Sequence, residues 1–484
     1  MRTKIIFVLW FLVISFTVSI LYSGQDEYPY ADNRECNYSS SVPWNVFSDY
    51  PEMENFDNII RQMMTRWGIK GLTLAILKEG KLVYTKGYGY ADAENKEVMQ
   101  AGHTMRIASV SKLITAAAVM KLVEEGRIAL QDTVFGESGI LNDSVYLKFS
   151  DKNLKKVTIE HLLNHTAGWS LRAGDPMFMP VYVAQRMHTT PPADFETIIQ
   201  YVLTYGRIAW MPGTRSCYSN FGYALLGKII EKVTGCTYES YVRESILKPL
   251  RIYDMTMAGN FPSQRRINES TYYAPGGAGV VPDFYGTGSY VQRQYGGNNI
   301  EVLGAAGGWI ASAPSLAKIL SAFDGYDFNP DLLSPKSIQT MTTSPAPHID
   351  PMGWRKVTSD GWIRTGSFAG TSALMKRQND SICWVVITNT STWKGADFTG
   401  VIHYTMKKAL ESISEWPELN LFYYDDPVFA MPARIHRINY QNDDSANLKL
   451  RLTGDKYGTS SRYTSTYAAL VCKKAGAKKL KKNT

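Results

Sequence analysis

The sequence predicts an α+β protein, of mixed α/β content, in which an antiparallel sheet is flanked by helices and accompanied by a helical lobe. Three observations predict it. Two apolar runs, Leu72 to Leu77 and Leu82 to Tyr88, flank Glu79-Gly80 as the strands of a tight hairpin would. Near the other end, Thr371 to Lys376 and Ser381 to Thr388 repeat the arrangement around Gln378-Asn379-Asp380. Between them the apolar residues recur mostly at helical spacing, so strands from both ends of the chain enclose a helical middle.

Taken in chain order, Arg2 and Lys4 precede an almost wholly apolar run from Ile5 to Tyr22, and polar Gln25-Asp26-Glu27 follows. This is the layout of a secretory signal, or of an uncleaved N-terminal anchor that would hold the protein at a membrane. Residues 1–23 are therefore expected to direct the chain out of the cytoplasm, making it secreted or periplasmic. Residues 24–43 lack periodicity and read as a linker. From Asn55 to Trp67, Phe56, Ile59, Ile60, Met63 and Met64 fall on one helical face. After Ser414 the pattern weakens, giving a main domain over 44–413 and an extension over 414–484 with a possible strand at Leu448 to Leu452.

Composition narrows the class. Apolar residues at 44% and charged ones at 20% suit a globular protein. The net charge of +8 is concentrated in Lys473, Lys474, Lys478, Lys479, Lys481 and Lys482. Without aromatic interleaving or a reading motif, this tail does not indicate nucleic acid. Five cysteines without a Cys-x-x-Cys spacing exclude a disulfide framework and a cysteine zinc site.

The chemistry lies in three short motifs. Ser-x-x-Lys occurs four times, at Ser109–Lys112, Ser245–Lys248, Ser315–Lys318 and Ser391–Lys394. Only the first stands where Arg106-Ile107-Ala108 gives way to a helix faced by Leu113, Ala116, Ala117, Met120 and Val123. Ser109 at a helix start meets unpaired N–H groups that favour developing negative charge, and Lys112 lies about one turn on. A serine hydroxyl attacks only when a base takes its proton, which a lysine of lowered pKa can do. Tyr218-Ser219-Asn220 follows the turn Pro212-Gly213 and opens an amphipathic helix, offering a phenol that relays protons and an amide that holds a carbonyl. Arg364-Thr365-Gly366 lies in a strand-like run from Trp362 to Phe368, with a glycine that lets substrate approach the backbone.

Ser-x-x-Lys, Tyr-x-Asn and a basic-Thr-Gly triplet in that order resemble the serine β-lactamase and D-alanyl-D-alanine peptidase superfamily, in its class C β-lactamase-related branch. The likeness also includes Gly87-Tyr88-Gly89-Tyr90-Ala91-Asp92, His161-Leu162-Leu163-Asn164-His165-Thr166-Ala167-Gly168, Gly222-Tyr223-Ala224-Leu225-Leu226-Gly227 and Gly307-Gly308-Trp309. The resemblance implies a cleft between sheet and helical lobe and a hydrolase working through an acyl-enzyme on a β-lactam, a D-amino-acid peptide or a small ester. In that cleft Ser109 would be acylated, Lys112 and Tyr218 would move protons, and Asn220 would hold the acyl side of the substrate. The N–H groups of Ser109 and Ser367 would form the oxyanion hole. The family's triplet begins with Lys or His, whereas Arg364 stands here. Arginine can hold a carboxylate in a two-pronged geometry but cannot shed a proton. Arg364, Thr365 and Gly366 are accordingly expected to bind a carboxylate-bearing substrate, with efficient β-lactam turnover in question.

Other readings are weaker. His161 and His165 have the spacing of two metal ligands on one helix face, but Leu162 replaces the Glu of the metalloprotease motif and no third ligand is evident. No metal or other cofactor is expected. A module that is acylated without turnover is the alternative to an enzyme, opposed by the intact Ser109, Lys112, Tyr218 and Asn220. Gly-x-Ser-x-Gly is absent, which excludes a lipase-type elbow. Met177, Phe178, Met179, Tyr182, Tyr285 and Tyr290 are candidates for a pocket wall.

Overall fold

The computed structural model describes residues 38, 39 and 41–424. The leader, most of the linker, the possible strand at Leu448 to Leu452 and the Lys-rich tail lie outside the described residues. The chain enters its main sheet through β1 (Gly71–Lys78), β2 (Lys81–Asp92) and β3 (Glu97–Val98). It then makes short strands β4 (Met105–Arg106), β5 (Thr256–Met257), β6 (Val281–Pro282), β7 (Tyr290–Val291) and β8 (Trp309–Ala311). It returns through β9 (Lys356–Thr358), β10 (Gly361–Phe368), β11 (Thr371–Gln378) and β12 (Ile382–Thr388). The seven-stranded sheet has the order β3-β2-β1-β12-β11-β10-β9.

Both expected hairpins form. Glu79 and Gly80 have φ of 50° and 71°, the left-handed pair that a two-residue turn needs to match the twist of its strands. The β11–β12 turn places Ser381 at φ 66°. The two hairpins meet where β1 pairs antiparallel with β12, Leu72 opposite Thr388 and Lys78 opposite Ile382. β1 is buried along nearly its whole length, as a strand covered on both faces must be. Helix α1 (Glu54–Trp67) ends at Gly68 in the left-handed region, as the periodicity from Asn55 to Trp67 predicts.

The remaining helices are α2 (Ser111–Glu124), α3 (Ile159–Leu163), α4 (Pro180–Met187), α5 (Phe195–Tyr205), α6 (Asn220–Thr234), α7 (Tyr238–Val242), α8 (Ile300–Leu303), α9 (Ala313–Ser321), α10 (Pro335–Thr342) and α11 (Phe398–Glu411). Helix α11 packs on α1 and β11, while α9 packs on β1 and β12. Helix α2 is buried almost all round, so it is the central helix rather than a surface one. It packs against α6, and the turn before it abuts β10. This three-way junction is where the sequence motifs converge.

Two features differ from expectation. The packed body runs past the 44 and 413 limits at both ends, since Tyr38 is 1% exposed with its ring 4.5 Å from that of Phe422, and Ser39 N–H donates to Phe422 O. The middle is also less helical than its spacing suggests. β4, β8 and β5 form a small sheet and β6 pairs with β7, in runs too short to show an alternating pattern. Among the described residues no helix is long and apolar enough to cross a membrane.

Candidate active site

Ser109 sits in a tight turn, Ala108–Val110, immediately before α2. Ala108 adopts φ 47°, a left-handed conformation that costs a non-glycine residue about 1–3 kcal/mol and persists only where its surroundings hold it. Those restraints are visible. Ile107 N–H donates to Trp309 O, Val110 N–H donates to Ile107 O, and Arg364 Nε donates to Ser109 O at 2.7 Å. The turn raises the Ser109 hydroxyl out of an otherwise buried segment.

Two groups reach that hydroxyl. Tyr218 Oη donates to Ser109 Oγ at 2.7 Å and Lys112 Nζ lies 3.3 Å from it. Lys112 is fully buried, and its Nζ also donates to Asn220 Oδ1 at 2.7 Å and to Ala306 O at 2.5 Å. With two hydrogens held by those oxygens, a neutral Lys112 amine turns its lone pair toward Ser109. Helix α6 supplies the other partners. Ser219 caps it by accepting from Gly222 N–H, so Asn220 opens the first turn and Tyr218 precedes the cap.

The electrostatics follow from burial and crowding of cations. Burial, the largest cause, drives the Lys112 ammonium down to about 8, with the Arg364 charge adding to the effect and Tyr218 opposing it. Burial alone would push the Tyr218 phenol up, but the Lys112 and Arg364 charges outweigh it and bring it down to about 8. The two groups are in contact, so they titrate as a pair near neutrality.

Strand β10 carries the third motif. Arg364 is 1% exposed, with Nε on Ser109 O and a terminal nitrogen 3.4 Å from Tyr218 Oη. The expected carboxylate clamp is therefore not what this geometry offers: the alternation of β10 turns Arg364 into the interior, where its guanidinium is committed to the Ser109 turn. Gly366 lets β10 run against that turn. A Cβ there would overlap Ile107 O and lie 3.0 Å from Ser109 N. Thr365 and Ser367, on the opposite face of the strand, are half-buried.

The two histidines do not share a helix face, because α3 ends at Leu163 and His165 lies beyond it at φ 63°. His161 Nδ1 accepts from Thr158 N–H at 3.2 Å, and His165 Nδ1 accepts from Ser219 N–H at 3.2 Å. The His165 ring lies 4.5 Å from that of Tyr218. Burial and the charges of Lys112, Arg364 and Arg355 hold it well below the usual imidazole value. Among the described residues no group of three or more His, Cys, Asp or Glu could hold a metal.

The other Ser-x-x-Lys pairs are spent elsewhere. Ser245 Oγ donates to Tyr241 O, Ser315 Oγ donates to Asp254, and Ser391 Oγ accepts from Gly370 N–H. The candidate pocket wall also divides. Phe178 faces Phe368 at 5.9 Å, beside the β10 motif, whereas Met177 is in the core, Tyr182 packs on Tyr201 and Tyr285 stacks with Phe261 and lies 4.3 Å from Phe284. Tyr290 is 68% exposed. Sequence reasoning missed three neighbours: Asp175, which accepts from Asn220 Nδ2 at 2.8 Å; the Ala306 carbonyl; and Arg355, 5.9 Å from the Tyr218 ring. Only Asp175 carried a local signal, a Gly-Asp-Pro turn, and no spacing tied it to Asn220.

The same architecture recurs in known proteins. The chain is 30% identical over 199 residues to "Protein flp" of Staphylococcus aureus strain NCTC 8325, a match covering 41% of this chain and 37% of that protein. It is 28% identical over 249 residues to a putative D-alanyl-D-alanine carboxypeptidase of Escherichia coli O157:H7, covering 47% of this chain and 55% of that one. The chain thus spans less than two thirds of the length of these curated relatives. An octameric penicillin-binding protein homologue from Pyrococcus abyssi superposes with a TM-score of 0.55 at 26% identity, covering 77% of this chain and 80% of its own. The D-amino acid amidase of Ochrobactrum anthropi SV3 shares the fold at a TM-score of 0.58 and 21% identity, covering 75% of this chain and 99% of its own. Residues 56–401 match the family described as Beta-lactamase, and the chain belongs to this family.

Proposed function

We propose that the protein hydrolyses an amide or ester through an acyl-enzyme formed on Ser109. The observation that supports this most directly is the position of Ser109 Oγ, 2.7 Å from Tyr218 Oη and 3.3 Å from Lys112 Nζ on a strained, solvent-reaching turn. The Tyr218–Lys112 pair, with its proton affinity brought near neutrality, takes the hydroxyl proton as Ser109 attacks the carbonyl carbon. The N–H groups of Ser109 and Ser367 receive the oxyanion, and the glycine at 366 is what permits the two segments to lie so close. Collapse breaks the bond to the leaving group, which takes the proton back from Tyr218. Water, deprotonated by the same pair, then releases the acyl group and restores Ser109.

Asn220, held by Lys112, flanks the acyl side of the substrate. Arg364 holds the Ser109 turn and supplies fixed positive charge beside Tyr218. The exposed Arg355, which lies near the Tyr218 ring and pairs with Asp350 at 3.5 Å, is the cation assigned to a carboxylate on the substrate. D-Amino-acid peptides or amides and small esters fit this machinery, in line with the names of the Escherichia coli and Ochrobactrum relatives. Export to the periplasm or beyond, with or without retention by residues 1–23, rests on the composition of that leader.

Intact-mass spectrometry after incubation with a fluorophosphonate, a penicillin and a nitrophenyl ester tests the assignment. The adduct should map to Ser109, and Ser109→Ala should abolish turnover of every substrate while leaving the circular dichroism spectrum unchanged. Retained turnover, or an adduct on Ser245, Ser315 or Ser391, refutes it.

A further inference from the structure

If Ser109 is the acylated residue and Asn220 flanks the acyl side, one charged group beside them takes no part in the proton transfers. Asp175 stands in the turn Gly174-Asp175-Pro176 and caps the short turn Pro176–Phe178. Its Oδ1 accepts from Met177 N–H at 3.0 Å and its Oδ2 accepts from Asn220 Nδ2 at 2.8 Å. These bonds leave about half of the carboxylate's roughly four acceptor positions unused. None of the ion pairs among the described residues involves it. Asp175 is thus a half-buried anion without a cationic partner, three hydrogen bonds from Ser109 Oγ by way of Asn220 and Lys112.

Its placement is defined rather than incidental. Lys112 Nζ donates to Asn220 Oδ1 and the Asp175 carboxylate can only accept, so the Asn220 amide is oriented with its oxygen toward the lysine and its nitrogen toward the carboxylate. The turn is docked on the other side of the site as well, through the Phe178 ring 5.9 Å from that of Phe368, the residue after Ser367. An acyl group beside Asn220 therefore meets a carboxylate next to two aromatic rings. A half-buried anion is offset best by a cation that arrives with the ligand.

We infer that Asp175 determines specificity by holding a protonated amine on the acyl side of the substrate, next to an apolar side chain received by Phe178 and Phe368. The favoured class is then an aminoacyl amide or ester with a free amine, in preference to its N-acylated counterpart. The same contact assists the chemistry, because the Asp175 charge favours the ammonium form of Lys112 and a substrate ammonium at Asp175 relieves that effect.

The test compares leucine p-nitroanilide, in each configuration, with its N-acetyl derivative on the full chain and on Asp175→Asn and Asp175→Glu. The wild type should prefer the free amine. Asp175→Asn should lower the ratio of kcat/KM for the amine substrate to that for the N-acetyl substrate about ten- to a hundredfold, the range of one lost charge-assisted bond, mainly through KM of the amine substrate. Asp175→Glu should recover part of the preference. Fluorophosphonate labelling is run on all three proteins. Labelling at Ser109 with equal losses on both substrates, or a wild type that prefers the N-acetyl compound, overturns the role of Asp175 alone. Absence of a Ser109 adduct in the wild type overturns the acyl-enzyme reading and this inference with it.

Discussion

Removing the charge of Arg364 should shift the pH dependence of catalysis. The guanidinium lies 3.4 Å from Tyr218 Oη, and its charge favours both the phenolate of Tyr218 and the neutral amine of Lys112. Both groups sit near pH 8 with Arg364 present. A cation at this distance moves a neighbouring pKa by about 1–3 units, so Arg364→Gln should raise the apparent pKa of the pair by that amount. The sign is fixed: the base must be deprotonated to accept the Ser109 proton, so kcat/KM rises with pH and its ascending limb should move to higher pH in the variant. At pH 7 the loss is about tenfold per unit, and it should shrink as the pH approaches the new value. The assay is kcat/KM for a neutral nitrophenyl ester between pH 6 and 10, corrected for spontaneous hydrolysis, with the native fold checked by circular dichroism. A neutral ester should lose as much as a carboxylate-bearing substrate. An ascending limb that stays in place, or a loss confined to carboxylate-bearing substrates, refutes this reasoning and returns Arg364 to the substrate-clamp role.

Three further outcomes are expected. Lys112→Ala and Tyr218→Phe should each cut kcat by orders of magnitude, and the double variant should be little worse than the poorer single, because both groups serve one proton transfer; fully multiplicative losses would separate them. Gly366→Ala should lower the unfolding free energy measured in denaturant by about 1–3 kcal/mol and abolish labelling of Ser109, since the added methyl collides with Ile107 O; a fully active variant would contradict the close approach of β10 to the turn. Asp57 accepts from Tyr84 and Tyr88 and pairs with Lys86 at 2.8 Å and Arg61 at 3.3 Å, so Asp57→Ala should destabilise the fold by about 3–5 kcal/mol in denaturant titrations while native protein keeps its kcat; an unchanged midpoint would show the cluster to be dispensable.

How much of this was legible in the sequence depended on whether local chemistry or distant packing decided each feature. The β1–β2 hairpin was readable because Glu79-Gly80 accepts the left-handed turn and the apolar runs on either side extend over whole strands. Helix α6 was readable from its periodicity, and the choice of Ser109 among four Ser-x-x-Lys quartets followed from the chain change at Arg106-Ile107-Ala108. The short strands β4, β5 and β8 were not readable, because two or three residues carry no period and their pairing is set by partners about 50 to 200 positions away. The histidine pair failed as a helix-face motif for a related reason: four-residue spacing implies a shared face only while the helix continues, and α3 stops at Leu163.

By itself the sequence determined the residue types proposed for acyl transfer, their order, and the local turns and helix starts that present them, since these depend on neighbours a few positions apart. The tertiary structure alone decided what each of them faces. Arg364 is a charge buried against Ser109 O rather than a clamp open to solvent, because strand alternation and the register of β10 beside the Ser109 turn orient its side chain inward. Asp175 stands against Asn220 only because the helical lobe folds a turn 45 positions upstream onto the start of α6, a contact between residues that no periodicity connects.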